Sequence, residues 1–350
     1  MTALIIERCG PGTTVQDHGR FGWQRYGLGP AGAMDRPAMA MANVLAGNGA
    51  GAAAIEFALV GGRFRVSGGA VRVALAGADA GLKIDGRAVA PLTSATAFDG
   101  EVIDIGTART GMFAYLAIAG GIALAPALGS VATHVRAGVG GIDGRALQSG
   151  DRLGCNLAEP VGNDLTASAR ANTADSAAPI RVILGPQDDY FSAEGLATFL
   201  GSAYTITPQI DRMGIRLAGP KIEHGPKGYN IVSDGIATGS IQVPGMGEPL
   251  ILLADRQTTG GYPKIATVIT GDLGRIAQMR PGAQIKFAAV TRAEAVTVLK
   301  IQRAEFDSFR ASLRPSDQLA DLSSERLLGL NLVDGWTGDT GGDMGSDPWV

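Results

Sequence analysis

The sequence predicts a mainly β (α+β) fold: two similar β-barrel-like units with a few short helices and a longer helix near the C-terminus. Three observations predict it. Glycine contributes 52 of 350 residues, about twice the usual share, against only 10 Phe, 6 Tyr and 3 Trp, a composition of turns and short strands. Short apolar segments follow one another between residues 53 and 106, separated by Gly and Asp-Gly turns, Asp85-Gly86 and Asp99-Gly100, the hairpin signal. The two halves also rhyme: Tyr115–Gly121 resembles Ile251–Ala254 with its own Gly260-Gly261, and Gln148–Leu153 resembles Arg280–Ile285.

In chain order, Ala3–Arg8 reads as a strand ended by Gly10-Pro11-Gly12. Thr13–Gly32 reads as a long loop carrying Asp17, His18, Arg20 and Arg25. Its Phe21, Trp23 and Tyr26 argue for order rather than disorder. Asp35 reads as the N-cap of a helix over Ala38–Ala46, with Pro37 in its first turn and Gly47-Asn48 at its end. Strands are expected at Ala54–Val60, Arg63–Val66, Val71–Ala76, Gly81–Ile84, Ala95–Phe98, Val102–Ile105 and Tyr115–Ala119, with Leu147–Leu153 closing a first unit over 1–160. A small, polar run without periodicity supplies a linker at 161–179. A second unit, 180–290, starts with strand Arg181–Leu184 and helix Ala193–Leu200, then strands Tyr204–Thr207 and Ile215–Leu217. Thr291–Leu313 reads as a helix packing through Ala295, Val296, Leu299, Ile301, Phe306 and Phe309, the start of a 291–335 helix and docking segment that includes Ser324–Val333. Residues 336–350 read as a loose tail.

Composition excludes several classes. A net charge of −3 without a basic block argues against nucleic acid. Cys9 and Cys155 lack CxxC spacing, and His18, His134 and His224 lie far apart, so neither a disulfide framework nor a metal site is expected. No charged-then-apolar leader opens the sequence, and no apolar run reaches the roughly 18–20 residues of a membrane span; a soluble, cytoplasmic protein is expected. GxxxxGK[ST], HExxH and GxSxG are absent.

The chemistry concentrates in Ile251–Ala266. An apolar strand breaks into Asp255-Arg256-Gln257-Thr258-Thr259, turns at Gly260-Gly261, stiffens at Tyr262-Pro263 and reaches Lys264 at the mouth of a second apolar run. Strand, polar loop, strand is how a scaffold presents a site, though a solvated hairpin has the same outline. The residues suit an amide or urea carbonyl. Lys264 and Arg256 can oppose charge on a carbonyl oxygen, and Asp255 can orient either cation. Gln257, Thr258, Thr259 and Gln242 can each donate and accept.

ADRQTTGGYPKIATVI resembles the carboxyltransferase-like family that includes allophanate hydrolase subunit 2, the C-type subunit of 5-oxoprolinase and the carboxyltransferase domain of urea carboxylase. Thr14–Arg20 with Gly32–Arg36, Asn43–Asn48 with Glu56, Tyr115–Ile122, Asp211–Gly214 and Gly239–Pro244 fit the same family. Ser233–Gly239 departs from it, with Asp234 and Ala237-Thr238 where Glu and Val-Pro are expected. The resemblance implies two cyclophilin-like β-barrel domains with the active cleft between them. It adds Gln16, Asp17, Asp35, Asp211 and Arg212 as candidate substrate-binding residues; a helix cap competes for Asp35, and a structural ion pair for Asp211 with Arg212. It implies a component of a heteromeric, ATP-dependent 5-oxoprolinase-type amidohydrolase. The partners would be a protein homologous to allophanate hydrolase subunit 1 (the B-type component of 5-oxoprolinase) and an A-type component. The substrate would be a small amide or lactam, and ATP would be used by the assembled complex. The alternatives are a carboxyltransferase using biotin in trans, since no lysine here has a methionine neighbour, and a regulatory binding subunit.

Overall fold

Alternation of apolar and polar side chains builds the first sheets. In Gly62–Ser67, Phe64 and Val66 point inward while Arg63 and Arg65 face solvent. The computed structural model describes residues 2–157, 160–168 and 178–316. A six-stranded antiparallel sheet runs Arg152–Gly154, Ala3–Cys9, Gly62–Ser67, Val102–Ile105, Leu82–Ile84, Arg87–Val89. A five-stranded antiparallel sheet runs Thr14–Gln16, Ala54–Ala58, Phe113–Ile118, Val71–Gly77, Ser94–Ala97. Leu4, Ile6, Phe64 and Val66 of the first pack with Ile55, Phe57, Val73 and Leu116 of the second to form one core.

The second half is an eight-stranded sheet in the order Gln284–Ile285, Tyr204–Ile210, Gly214–Ala218, Leu250–Leu252, Ser240–Gln242, Lys264–Val268, Ile180–Leu184, Phe287–Ala289. Its two edge strands are separated in sequence by Lys286 alone, so the sheet must curl until its edges nearly meet. The result is a nearly closed barrel. The fold is therefore mostly β, as expected, with four α-helices among the described residues.

A second apolar core joins the outer face of the five-stranded sheet (Ala54, Tyr115, Ala117), helix α1 (Arg36–Leu45) and the barrel interior, including Ile241, Ile251 and Ile265. Helix α2 (Ala193–Gly201) is capped by Ser192, whose hydroxyl accepts from Gly195 N. Helix α3 (Thr270–Ala277) was not expected, because Gly271 and Gly274 lower its intrinsic propensity. Both glycines serve packing. A Cβ at Gly271 would lie 2.8 Å from Val298, and one at Gly274 would lie 2.8 Å from the Asp35 carboxylate. Helix α4 (Arg292–Ala311) starts at a capping box made by Thr291 and Glu294.

Three expectations change. Residues Thr14–Gln16, read as loop, form a strand because they pair with Ala54–Glu56. Within the expected linker, Leu165–Ala167 pairs with Leu313–Pro315. On α4 only Ala295 and Phe309 are buried; Val296, Leu299 and Ile301 are exposed, so the apolar face is narrower than the residue types suggest. The rest of the linker at 169–177, the docking segment beyond Ser316 and the tail lie outside the described residues.

Candidate active site

The Ile251–Ala266 stretch folds as expected in outline: strand Leu250–Leu252, a turn, a short strand at Thr259–Gly260, then strand Lys264–Val268. Thr259–Gly260 pairs with Asp234–Gly235, which brings a third segment against the loop. Two polar groups result.

The first surrounds Asp234–Ile236. Lys264 is only 1% exposed; its Nζ donates to Asp234 Oδ2 at 2.7 Å and to Gly235 O at 3.3 Å. Gln187 braces this pair, donating from Nε2 to Asp234 Oδ2 at 3.2 Å and accepting from Lys264 N at 3.2 Å. The Lys264 ammonium, with Gly235 N–H and Gln187, holds the Asp234 carboxyl below its ordinary pKa. Gln242 lies opposite Lys264 on the neighbouring strand and donates to Tyr262 O at 3.2 Å. Arg256, 4% exposed, donates from Nε to Ile236 O at 3.0 Å and from Nη2 to Gln24 Oε1 at 3.1 Å. Its Nη1 is buried without a hydrogen-bond partner, and among the described residues Arg256 pairs with no carboxylate. Burial, with the nearby Arg36 charge, pushes the guanidinium pKa down to about 10, so it stays protonated at neutral pH.

The second group is a buried ionic chain. Arg212 donates from Nε and Nη2 to Asp255 at 2.8 and 2.9 Å, from Nη2 to Gly32 O at 2.8 Å, and from Nη1 to Glu56. Glu56 Oε2 also accepts from Tyr115 Oη at 2.7 Å and Met34 N at 2.9 Å. Tyr115 Oη in turn accepts from Asp35 N at 2.7 Å. The Asp35 carboxylate caps α1 by accepting from Ala38 N and takes a bond from Gln278 Nε2 at 2.8 Å. Burial raises its pKa, against the pull of those two donors. Burial opposes the charge on Arg212, but Glu56 and Asp255 outweigh it and raise its pKa further.

The expected residues are thus divided. Lys264, Arg256, Gln242, Thr258 and Thr259 gather around Asp234–Ile236, while Asp255, Arg212 and Asp35 belong to the ionic chain. Asp255 therefore orients neither Lys264 nor Arg256, because Arg212 takes both its oxygens. Asp211 and Arg212 do not pair with each other. Asp211 accepts from Met213 N and Gly214 N of its own turn, while Arg212 points the other way. Gln257 is exposed and lines a groove of about 310 Å³ with Asp211, Met213 and Arg216. Asp17 ties its loop to Ser130 and Val131, and buried Gln16 donates to Thr14 and Thr133 O. Gln24, Gln187 and Asp234 were not singled out from sequence as site residues. Asp234 carried one signal, its place in the segment that departs from the family pattern.

Among the described residues no group of three or more His, Cys, Asp or Glu converges as a metal site would, and no helix is long and apolar enough to cross a membrane. Chemically, the Asp234–Ile236 group offers one buried, partly free guanidinium flanked by amides, which matches a neutral or anionic carbonyl oxygen.

The chain resembles known proteins along most of its length. Residues 26–289 match the family described as carboxyltransferase domain, subdomain A and B. The chain is 36% identical over 301 residues to the C-type subunit of 5-oxoprolinase from Haemophilus influenzae, covering 85% of this chain and 94% of that protein. It is 35% identical over 309 residues to the corresponding 5-oxoprolinase component from Escherichia coli, covering 87% and 96%. The crystal structure of the K. lactis urea amidolyase superimposes with a TM-score of 0.81 at 27% identity, covering 88% of this chain and 20% of that one.

Proposed function

The chain belongs to the carboxyltransferase-domain family, subdomain A and B, and from that premise we propose that it is the C-type subunit of a heteromeric, ATP-dependent 5-oxoprolinase-type amidohydrolase. The observation that carries the reading is Arg256: a buried guanidinium whose Nη1 has no partner and whose charge has no carboxylate among the described residues. Such a group is costly to keep unless an ordered water or a ligand oxygen completes it, and a substrate carbonyl can take that place. Opening a lactam or amide C–N bond builds negative charge on the carbonyl oxygen, and Arg256 Nη1 receives it. Lys264, held by Asp234, supplies a second positive charge beside the same turn. The near end-to-end match with the C-type component of 5-oxoprolinase supports this assignment over carboxyl transfer, for which the likeness covers one fifth of a urea amidolyase chain.

We assign nucleotide use to the assembled complex. A triphosphate needs several free cations, and here Lys264 is taken by Asp234 and Arg212 by Glu56 and Asp255. The partners are a B-type component, homologous to allophanate hydrolase subunit 1, and an A-type component. The test is ATP-dependent release of glutamate from 5-oxoproline by the reconstituted complex. Arg256→Met should lower turnover by about 10²–10³ with complex assembly unchanged, the usual cost of one oxyanion donor. Turnover within about threefold of the parent refutes the role of Arg256. Carboxyl transfer from carboxybiotin by a complex without lactamase activity replaces this reading with the carboxyltransferase one. Assembly with neither activity replaces it with a regulatory role.

A further inference from the structure

Residues 20–30 form a surface loop with a narrow neck. Arg20 N donates to Pro30 O at 2.8 Å, and Gly19 (φ +89°) lies so close that a Cβ there would come 2.6 Å from that oxygen. Inside the neck the backbone bonds are local, Tyr26 N to Trp23 O and Gly27 N to Gln24 O, and Gly22 and Gly27 take positive φ. Two of the loop's aromatic side chains are exposed, Phe21 at 63% and Tyr26 at 66%. Compact loops of this outline are frequently functional.

Between residues 21 and 28, the one side chain that hydrogen-bonds to the rest of the protein among the described residues is Gln24. Its Nε2 donates to Ile236 O at 2.8 Å and Thr258 O at 3.3 Å, and its Oε1 accepts from Arg256 Nη2 at 3.1 Å. The base of the loop also rests on Arg256: a Cβ at Gly29 would lie 3.1 Å from Arg256 O. Arg256 is nearly inaccessible in this arrangement, yet its Nη1 is unfilled. For a substrate oxygen to reach it, one of the covering segments must move. Ile236, in the other segment on the guanidinium, is tied to Thr258 O and follows the strand paired with Thr259–Gly260, whereas residues 21–28 are held to the rest by the Gln24 side chain and by Arg36 over the Phe21 ring at 5.3 Å.

We propose that residues 20–30 are a cover over Arg256, and that Gln24 is both its latch and the positioning residue for the guanidinium. Closed, Gln24 fixes Nη2 and directs Nη1 to the substrate; open, it releases the path to Arg256. The proposal rests on Arg256 being the substrate-facing cation.

Arg25, exposed beside the latch, provides a probe that needs no activity. Trypsin binds its substrate extended, so it cuts the Arg25–Tyr26 bond faster once the Gln24–Tyr26 turn is released, and mass spectrometry follows that cut in the full-length chain. Gln24→Ala removes all three bonds and should speed this cleavage about tenfold, because cleavage of a rapidly opening segment tracks the open population. A rate within about twofold of the parent overturns the latch. This arm decides the cover even if the reading of function fails. In the reconstituted complex, Gln24→Ala should lower kcat with little change in KM, and Gln24→Ala with Arg256→Met should be no slower than Arg256→Met alone. Multiplied losses in the double variant overturn the positioning role.

Discussion

Replacing Arg212 with Met tests whether the buried ionic chain braces the two halves. Arg212 contacts the first half through Glu56 and Gly32 O and the second through Asp255. The side chain of Glu56 is 2% exposed and that of Asp255 6%. After Arg212→Met, Glu56 keeps Tyr115 and Met34 N, but Asp255 retains no side-chain partner among the described residues. Breaking a buried pair from one side costs about 3–5 kcal/mol, a large share of the roughly 5–15 kcal/mol that keeps a domain folded. The assay is urea denaturation near neutral pH, comparing midpoints at constant slope. Adding Glu56→Gln and Asp255→Asn should recover a substantial part of the loss, since no buried charge then remains unpaired. A cost below about 1 kcal/mol for Arg212→Met alone refutes the brace.

Burial lowers the pKa of His134, aided by Arg212 and Arg20 and opposed by Asp255. The unfolded chain then takes up its proton first as pH falls below about 6.5, so stability drops there; His134→Gln should flatten that drop in denaturation curves between about pH 6.5 and 5. Burial pushes the Cys155 thiol up to about 11 and raises Cys9 as well, so at pH 8 Cys155 should react with a disulfide reagent about 100-fold more slowly in the native protein than in urea, and Cys9 more slowly too, as followed by thiol release.

Much of the strand pattern was legible because one periodicity decides it. Val102–Ile105 was placed to the residue, and Val71–Gly77 and Ile180–Leu184 to within one, since their buried faces carry Val, Ile and Leu. The failures have a common cause. Thr14–Gln16 is a strand only because residues 54–56 pair with it, and α3 is a helix only because α1 and α4 need a thin partner at Gly271 and Gly274. In each case long-range packing overrides a local preference.

The site divided differently, and the reason lies in which way adjacent residues point. The sequence placed Asp255 beside Arg256 and Asp211 beside Arg212, which invites pairing within each dipeptide. In extended or turning backbone, neighbours project to opposite sides. Asp255 turns to Arg212 while Arg256 turns to Ile236 and Gln24; Asp211 closes its own turn while Arg212 reaches Glu56. The register of Thr14, Glu56 and Tyr115 across three strands decides those partners, and no local motif encodes it. What distinguishes Arg256 from Lys264 and Arg212 is the carboxylate it lacks among the described residues. Buried Arg20 also lacks a carboxylate and has an unpartnered Nη1, but it spends Nε and Nη2 on the carbonyls of Ala127, Ser130 and Ala132, whereas Arg256 lies against the Asp234–Ile236 turn; under the proposed function that placement puts Arg256 ahead of Lys264, whose charge Asp234 already balances.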